Sequence, residues 1–188
     1  VAVAASAGGI PALGELLGAL SASFAGAVLV VLHLERHRAS RLAQVLQRST
    51  TLPVTEAAAG ERPEAGHVYV APPDRHLVVA PDGRLELTEA PPEHFSRPSA
   101  DPLFASLAAF SGAGAVAVVL SGMGVDGASG AAQVARRGGT VLVQDAASAG
   151  YYGMPGAALA SCGGARVLSP GAMAPMLHTL VSAVAEPS

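Results

Sequence analysis

Four short apolar runs, VAVAA at 1–5, AVLVVL at 27–32, AVAVVL at 115–120 and TVLV at 140–143, show no alternation of apolar with polar residues. Successive strand side chains point to opposite faces, so a half-covered strand alternates and a continuous apolar run needs cover on both faces. Helical spacing recurs between and after these runs. IPALGELLGAL at 10–20 carries Leu13, Leu16, Leu17 and Leu20, and further helices are predicted over 40–48, 102–110, 127–137, 155–161 and 171–185, the last amphipathic through Met173, Met176, Leu177, Leu180 and Val184. This rhythm predicts an α/β fold: an open, mostly parallel, doubly wound sheet with helices on both faces.

The middle of the chain differs. HVYVA at 67–71, HLVVA at 76–80 and RLELT at 84–88 are separated by the turn segments APPD and PDG, which predicts a small antiparallel insertion. Residues 89–102 hold four prolines among polar residues and read as a long surface loop, the kind of segment that shapes a binding site.

A chain of 188 residues, 51% apolar and 13% charged, can bury a sizeable core, and we read one domain over 1–188. A net charge of −3 gives no broad basic surface for nucleic acid. Cys162 is the single cysteine, which excludes an internal disulfide, a cysteine zinc cage and a CxxC pair, and predicts a cytoplasmic setting. No apolar run reaches about 18 residues, so no membrane insertion is expected. The sequence begins at Val1 within a predicted strand, as a piece of a longer protein would.

Open parallel sheets bind ligands at the carboxyl ends of their strands. Ser6 follows the first strand, His33 the second, and Asp126 lies in the glycine-rich loop after the strand at 115–120. A serine hydroxyl becomes an effective nucleophile when a histidine removes its proton, and a carboxylate must fix that histidine's tautomer and stabilise its cation. Ser6, His33 and Asp126 supply these three roles. The small residues Ala5, Ala7, Gly8 and Gly9 leave the backbone open beside Ser6, where the following helix aims its amides, as an oxyanion hole would require. Each residue also has a plainer reading. Ser6 could be a helix cap, His33 a satisfied strand-end histidine, and Asp126 a cap for the helix starting at Gly127.

Six blocks carry a family resemblance: AASAGG at 4–9, VLHL at 31–34, APPDRH at 71–76, RPSADPLF at 97–104, SGMGVDG at 121–127 and QDAASAGYYGMP at 144–155. In these the chain resembles the catalytic domain of the CheB chemotaxis receptor methylesterases. The resemblance implies hydrolysis of γ-glutamyl methyl esters on chemoreceptor helices, with deamidation of receptor glutamines as a related activity. It implies Ser6 as nucleophile, His33 as general base, Asp126 as its partner, and the Met123 amide near the oxyanion with Ala7 beside it. It also places His76 near the cleft, and it implies no metal and no organic cofactor. A regulatory receiver domain or a methyltransferase can accompany such domains outside this chain. The family commonly reads GASTGG around the nucleophile, so Ala4 and Ala7 here replace Gly and Thr. Ala146 and Gly156 also depart from its usual residues.

The expected substrate is an exposed protein helix, bound across the loop at 89–102 and the segment 145–155 with Phe95, Arg97, Tyr151 and Tyr152 as contacts. Two rival readings stand beside the enzyme: a nucleotide-binding α/β domain, although SAGG lacks the GxGxxG spacing, and a catalytically silent signalling domain.

Overall fold

The computed structural model describes residues 1–33 and 40–185; Leu34 of the VLHL block and the side chain of Val184 lie outside the described part. The first apolar runs form β1 (Ala2–Ala5) and β2 (Val28–Leu32), with α1 (Gly9–Gly18) between them and α2 (Leu42–Gln47) after them. Then come β3 (Val54–Glu56), β4 (Val68–Val70), β5 (His76–Val79) and β6 (Leu85–Thr88). The second half alternates α3 (Ala100–Ser111), β7 (Val116–Val119), α4 (Ala128–Arg136), β8 (Thr140–Gln144), α5 (Gly153–Ser161), β9 (Arg166–Leu168) and α6 (Pro170–Ala185).

Seven strands join in the order β3-β4-β2-β1-β7-β8-β9, every described pairing parallel, and β5 with β6 forms a separate antiparallel pair. The α/β expectation holds, with one correction to the insertion. HVYVA does not belong to it. Val68–Val70 is buried throughout and hydrogen-bonds between β2 and β3, so only 76–88 is antiparallel. The three runs look alike because length and apolar content are the same for a covered parallel strand and a hairpin strand. The edge strands β3 and β9, three residues each and partly exposed, carry too little apolar pattern to be read in advance.

The sheet has a core on each face. Val3, Val30, Val118 and Leu142 point toward α1, α2 and α6, where they meet Leu13, Leu16, Leu46 and Leu177. Ala4, Val31, Val119 and Val143 point the other way, toward α3, α4, α5 and the hairpin, where they meet Phe104, Val134, Met154 and Leu77. This two-sided burial is why the runs did not alternate.

The chain leaves β1 toward one face and β7 toward the other, and β1 and β7 are neighbours. Their outgoing connections therefore diverge and open a crevice at the strands' carboxyl ends, the topological switch point of the sheet.

Candidate active site

Ser6 is the first residue past β1 and half-buried. Its amide donates to the Ser121 carbonyl (2.9 Å) beyond β7, and its carbonyl accepts the Gly9 amide (2.8 Å), which turns the chain into α1. The turn depends on Gly8, which adopts φ +70; a Cβ there would stand 2.7 Å from Ser121 Oγ and 3.4 Å from the Tyr151 ring.

β1 and β2 pair with Ala5 beside Leu32, and the His33 amide donates to the Ala5 carbonyl (3.3 Å). One further step in this register sets Ser6 beside His33, on strands about 4.8 Å apart. His33 Nε2 lies 2.6 Å from Asp126 Oδ2, with the side chains 17% and 1% exposed. Among the described residues no hydrogen bond joins the Ser6 hydroxyl to the His33 ring.

The Asp126 carboxylate is surrounded by donors. Oδ2 accepts from His33 and the Ala100 amide (2.7 Å), and Oδ1 from the Ser99 hydroxyl (2.6 Å) and the Asp101 amide (3.2 Å). Burial pushes its pKa up, but the bonds from His33, Ser99 and Ala100, with the charge attraction of His33, outweigh burial and hold it below the usual carboxylate value. An ionised carboxylate only accepts, so the proton in the short contact belongs to His33 Nε2. Nδ1 is left as the ring's basic nitrogen.

Asp126 does cap a helix, but not the expected one. α4 begins after Gly127 with no side-chain cap, whereas Asp126 receives the first two amides of α3, where the helix dipole favours an anion. Ser99 stands at the N-cap of α3, yet its own hydroxyl caps nothing in that helix. The loop read as running to residue 102 ends at Ser99, since Pro102 falls in the first helical turn, where no amide is needed. Pro98 and Ser99 are also buried, so the surface part of the segment stops before them.

The other expected residues fall into two groups. The Ala7 and Met123 amides flank the crevice, and among the described residues neither donates a hydrogen bond. Tyr151 is half-exposed, and its ring lies against Gly8. By contrast, His76 is fully buried: Nδ1 accepts the Ser99 amide (3.2 Å) and Nε2 donates to the Pro91 carbonyl (3.2 Å). In this position it braces Ser99. Arg97 also has partners within the protein. Its guanidinium binds Asp74 Oδ1 through Nε (2.9 Å) and an Nη (2.7 Å), and the Glu89 and Ala90 carbonyls through the other Nη, so it ties the loop together. Ala4 is buried near Gly127, which makes that departure from GASTGG a matter of packing.

Ser121, a second serine just past a strand end, is buried and committed. Its hydroxyl donates to the Ala7 carbonyl (2.8 Å) and accepts the Tyr151 amide (3.0 Å), while its own amide donates to Gln144 Oε1 (2.7 Å). Ser99 and Gln144 were not singled out from the sequence. The available signal was their place within matching blocks, plus the serine before an amphipathic helix in the case of Ser99.

His94, Asp101 and Asp126 bring three ligand-type atoms within 4.8 Å of one another. Asp101 accepts the Gly130 amide (2.7 Å) on Oδ1 and faces His94 Nε2 (3.0 Å) on Oδ2, so these carboxylates already serve α3, α4 and His94. A cation would have to displace those partners.

The CheB methylesterase family model matches residues 1–177. The chain belongs to the CheB methylesterase family. Its catalytic-domain fold is that of the crystal structure of the Thermotoga maritima CheB methylesterase catalytic domain, with a TM-score of 0.89 and 30% identity over 95% of this chain and 96% of that one. It is 48% identical over 178 residues to protein-glutamate methylesterase/protein-glutamine glutaminase 3 of Anaeromyxobacter dehalogenans, covering 94% of this chain and 52% of that protein. It is 41% identical over 187 residues to protein-glutamate methylesterase/protein-glutamine glutaminase 1 of Cupriavidus pinatubonensis, covering all of this chain and 55% of that protein. The chain spans about half the length of these curated CheB relatives. Membership in this family weighs against the nucleotide-binding alternative, which had only the glycine turn in its favour.

Proposed function

We propose that the chain is the catalytic domain of a protein-glutamate methylesterase, one domain over 1–188, acting through Ser6, His33 and Asp126. The observation that carries this reading is the 2.6 Å contact between His33 and a buried, ionised Asp126 at the strand end beside Ser6. With Nε2–H held by Asp126, His33 presents Nδ1 as the base. Ser6 Oγ attacks the ester carbonyl as Nδ1 takes its proton, and the Ala7 and Met123 amides receive the developing oxyanion. Collapse breaks the carbon–methoxy bond, and His33 returns the proton to release methanol. Water, deprotonated by His33, then hydrolyses the acyl-enzyme to free glutamate and restores Ser6. The same steps on a glutamine side chain release ammonia, the second activity in the relatives' names.

The substrate we propose is the cytoplasmic helix of a methylated chemoreceptor, which makes the setting cytoplasmic; no described helix is long and apolar enough to cross a membrane. Ile10, Phe95, Met123, Val125 and Tyr151 are exposed apolar side chains on loops or a helix start at the carboxyl edge of the sheet. An apolar rim of this kind suits a protein partner better than a small free ester. A receiver domain or a methyltransferase would lie outside this chain. The test is to incubate the chain with methyl-labelled chemoreceptor and measure released methanol. Release that falls by several orders of magnitude in Ser6→Ala supports the reading; no release from the unaltered chain, or full release from Ser6→Ala, overturns it.

A further inference from the structure

Asp126 is reached by two side chains, His33 on Oδ2 and Ser99 on Oδ1, each at 2.6 Å. Behind Ser99 stands His76, which accepts the Ser99 amide on Nδ1 and is anchored through Nε2 to the Pro91 carbonyl. Ser99 and His76 are both fully buried, although a serine at a helix N-cap ordinarily serves its own helix and a histidine at a strand start ordinarily meets water. Here the usual cap is exchanged: the serine gives its proton to Asp126, and Asp126 receives the α3 amides in its place.

We propose that Ser99, held by His76, is a positioning residue of the hydrolytic site, acting through Asp126 on His33. Three consequences follow from the geometry. The hydroxyl proton occupies Oδ1, so Oδ2 remains the oxygen facing His33. Together with the Asp101 amide, the Ser99 bond prevents the carboxylate from rotating away from the imidazole. It also helps to keep Asp126 ionised in a buried place, where an uncompensated charge is costly. His76 fixes the Ser99 backbone at the one point where the loop passes into α3. The inference rests on the hydrolase reading for its consequences in rate, but the coupling itself can be read without turnover.

The experiment compares the unaltered chain with Ser99→Ala, Ser99→Thr and His76→Asn by nitrophenyl acetate hydrolysis across pH and by the downfield proton resonance of His33 Nε2–H. Loss of one hydrogen bond to a charged group predicts for Ser99→Ala a fall in kcat of about 10- to 100-fold with KM little changed. The His33 resonance should shift, because Asp126 has lost one of the bonds that hold its carboxylate in place. Ser99→Thr, which keeps the hydroxyl, should restore both readouts, and His76→Asn, whose amide oxygen can accept the Ser99 N–H, should stay near the unaltered chain. An unmoved resonance in folded Ser99→Ala overturns the proposal. So does a Ser99→Thr that folds but behaves as Ser99→Ala, since the role would then be packing. If the resonance moves as expected while even the unaltered chain hydrolyses no ester, the coupling stands and the hydrolase reading fails.

Discussion

Asp126 concentrates more of the site's physics than any other residue, because one buried carboxylate orients His33 and caps α3 together. Its lowered pKa ties it to stability: the contribution is complete above the ordinary aspartate value of about 4 and is lost as pH falls through the lower value in the folded protein. Thermal melts between pH 6 and pH 2.5 should therefore show Asp126→Asn losing less stability on acidification than the unaltered chain. An equal loss would place the acid-sensitive group elsewhere. The same variant should lower the hydrolytic rate by roughly 10⁴-fold, as in triads where the carboxylate fixes the tautomer and stabilises the imidazolium. Ser121 behaves differently, since its hydroxyl only joins Ala7 to Tyr151. Ser121→Ala should destabilise by about 1–3 kcal/mol in denaturant titration, with a phosphonate label still found on Ser6. A label that disappears in Ser121→Ala would make Ser121 the nucleophile.

At the scale of elements, the site depends on how closely α3 and α4 approach. A Cβ at Gly130 would stand 2.6 Å from Phe104 Cβ and 2.8 Å from the Asp101 carbonyl oxygen, and the Gly130 amide donates to Asp101 Oδ1. Gly130→Ala should push the two helices apart and draw the Ala100 and Asp101 amides away from Asp126. We expect a cost of about 1–3 kcal/mol in unfolding free energy, as for other overpacked interiors, and a clear loss of esterase activity although residue 130 touches no reacting group. Unchanged kinetics with reduced stability would show that the α3 amides tolerate the shift. None of this is visible as a pattern, since GASGAAQVAR reads as a small-residue helix whatever it packs against.

Across the whole molecule, two residues of the expected substrate surface differ in setting: Arg97 is tied into the loop at 89–99, and Tyr151 lies exposed over the nucleophile turn. Arg97→Ala should slow nitrophenyl acetate and methylated receptor in parallel, because it loosens the segment leading to Ser99. Tyr151→Ala should slow the receptor reaction more than the small ester, a ratio read from kcat/KM on both. Equal losses for Tyr151→Ala would move the receptor surface elsewhere. The sequence by itself determined the two-sided parallel sheet, because the uninterrupted runs at 1–5, 27–32 and 115–120 allow no half-exposed strand. It also determined the strand-end placement of Ser6, His33 and Asp126, because each is the polar residue that ends or soon follows a buried run. The tertiary structure alone decided that Val68–Val70 joins the main sheet, that Asp126 caps α3, and that His76 and Arg97 bond within the loop. Those outcomes depend on which partners meet at sequence separations such as 23 and 27, as in Ser99 with His76 and with Asp126. Local spacing records which residue types are present, whereas the donor that meets each buried acceptor is chosen only when the helices and strands close upon one another.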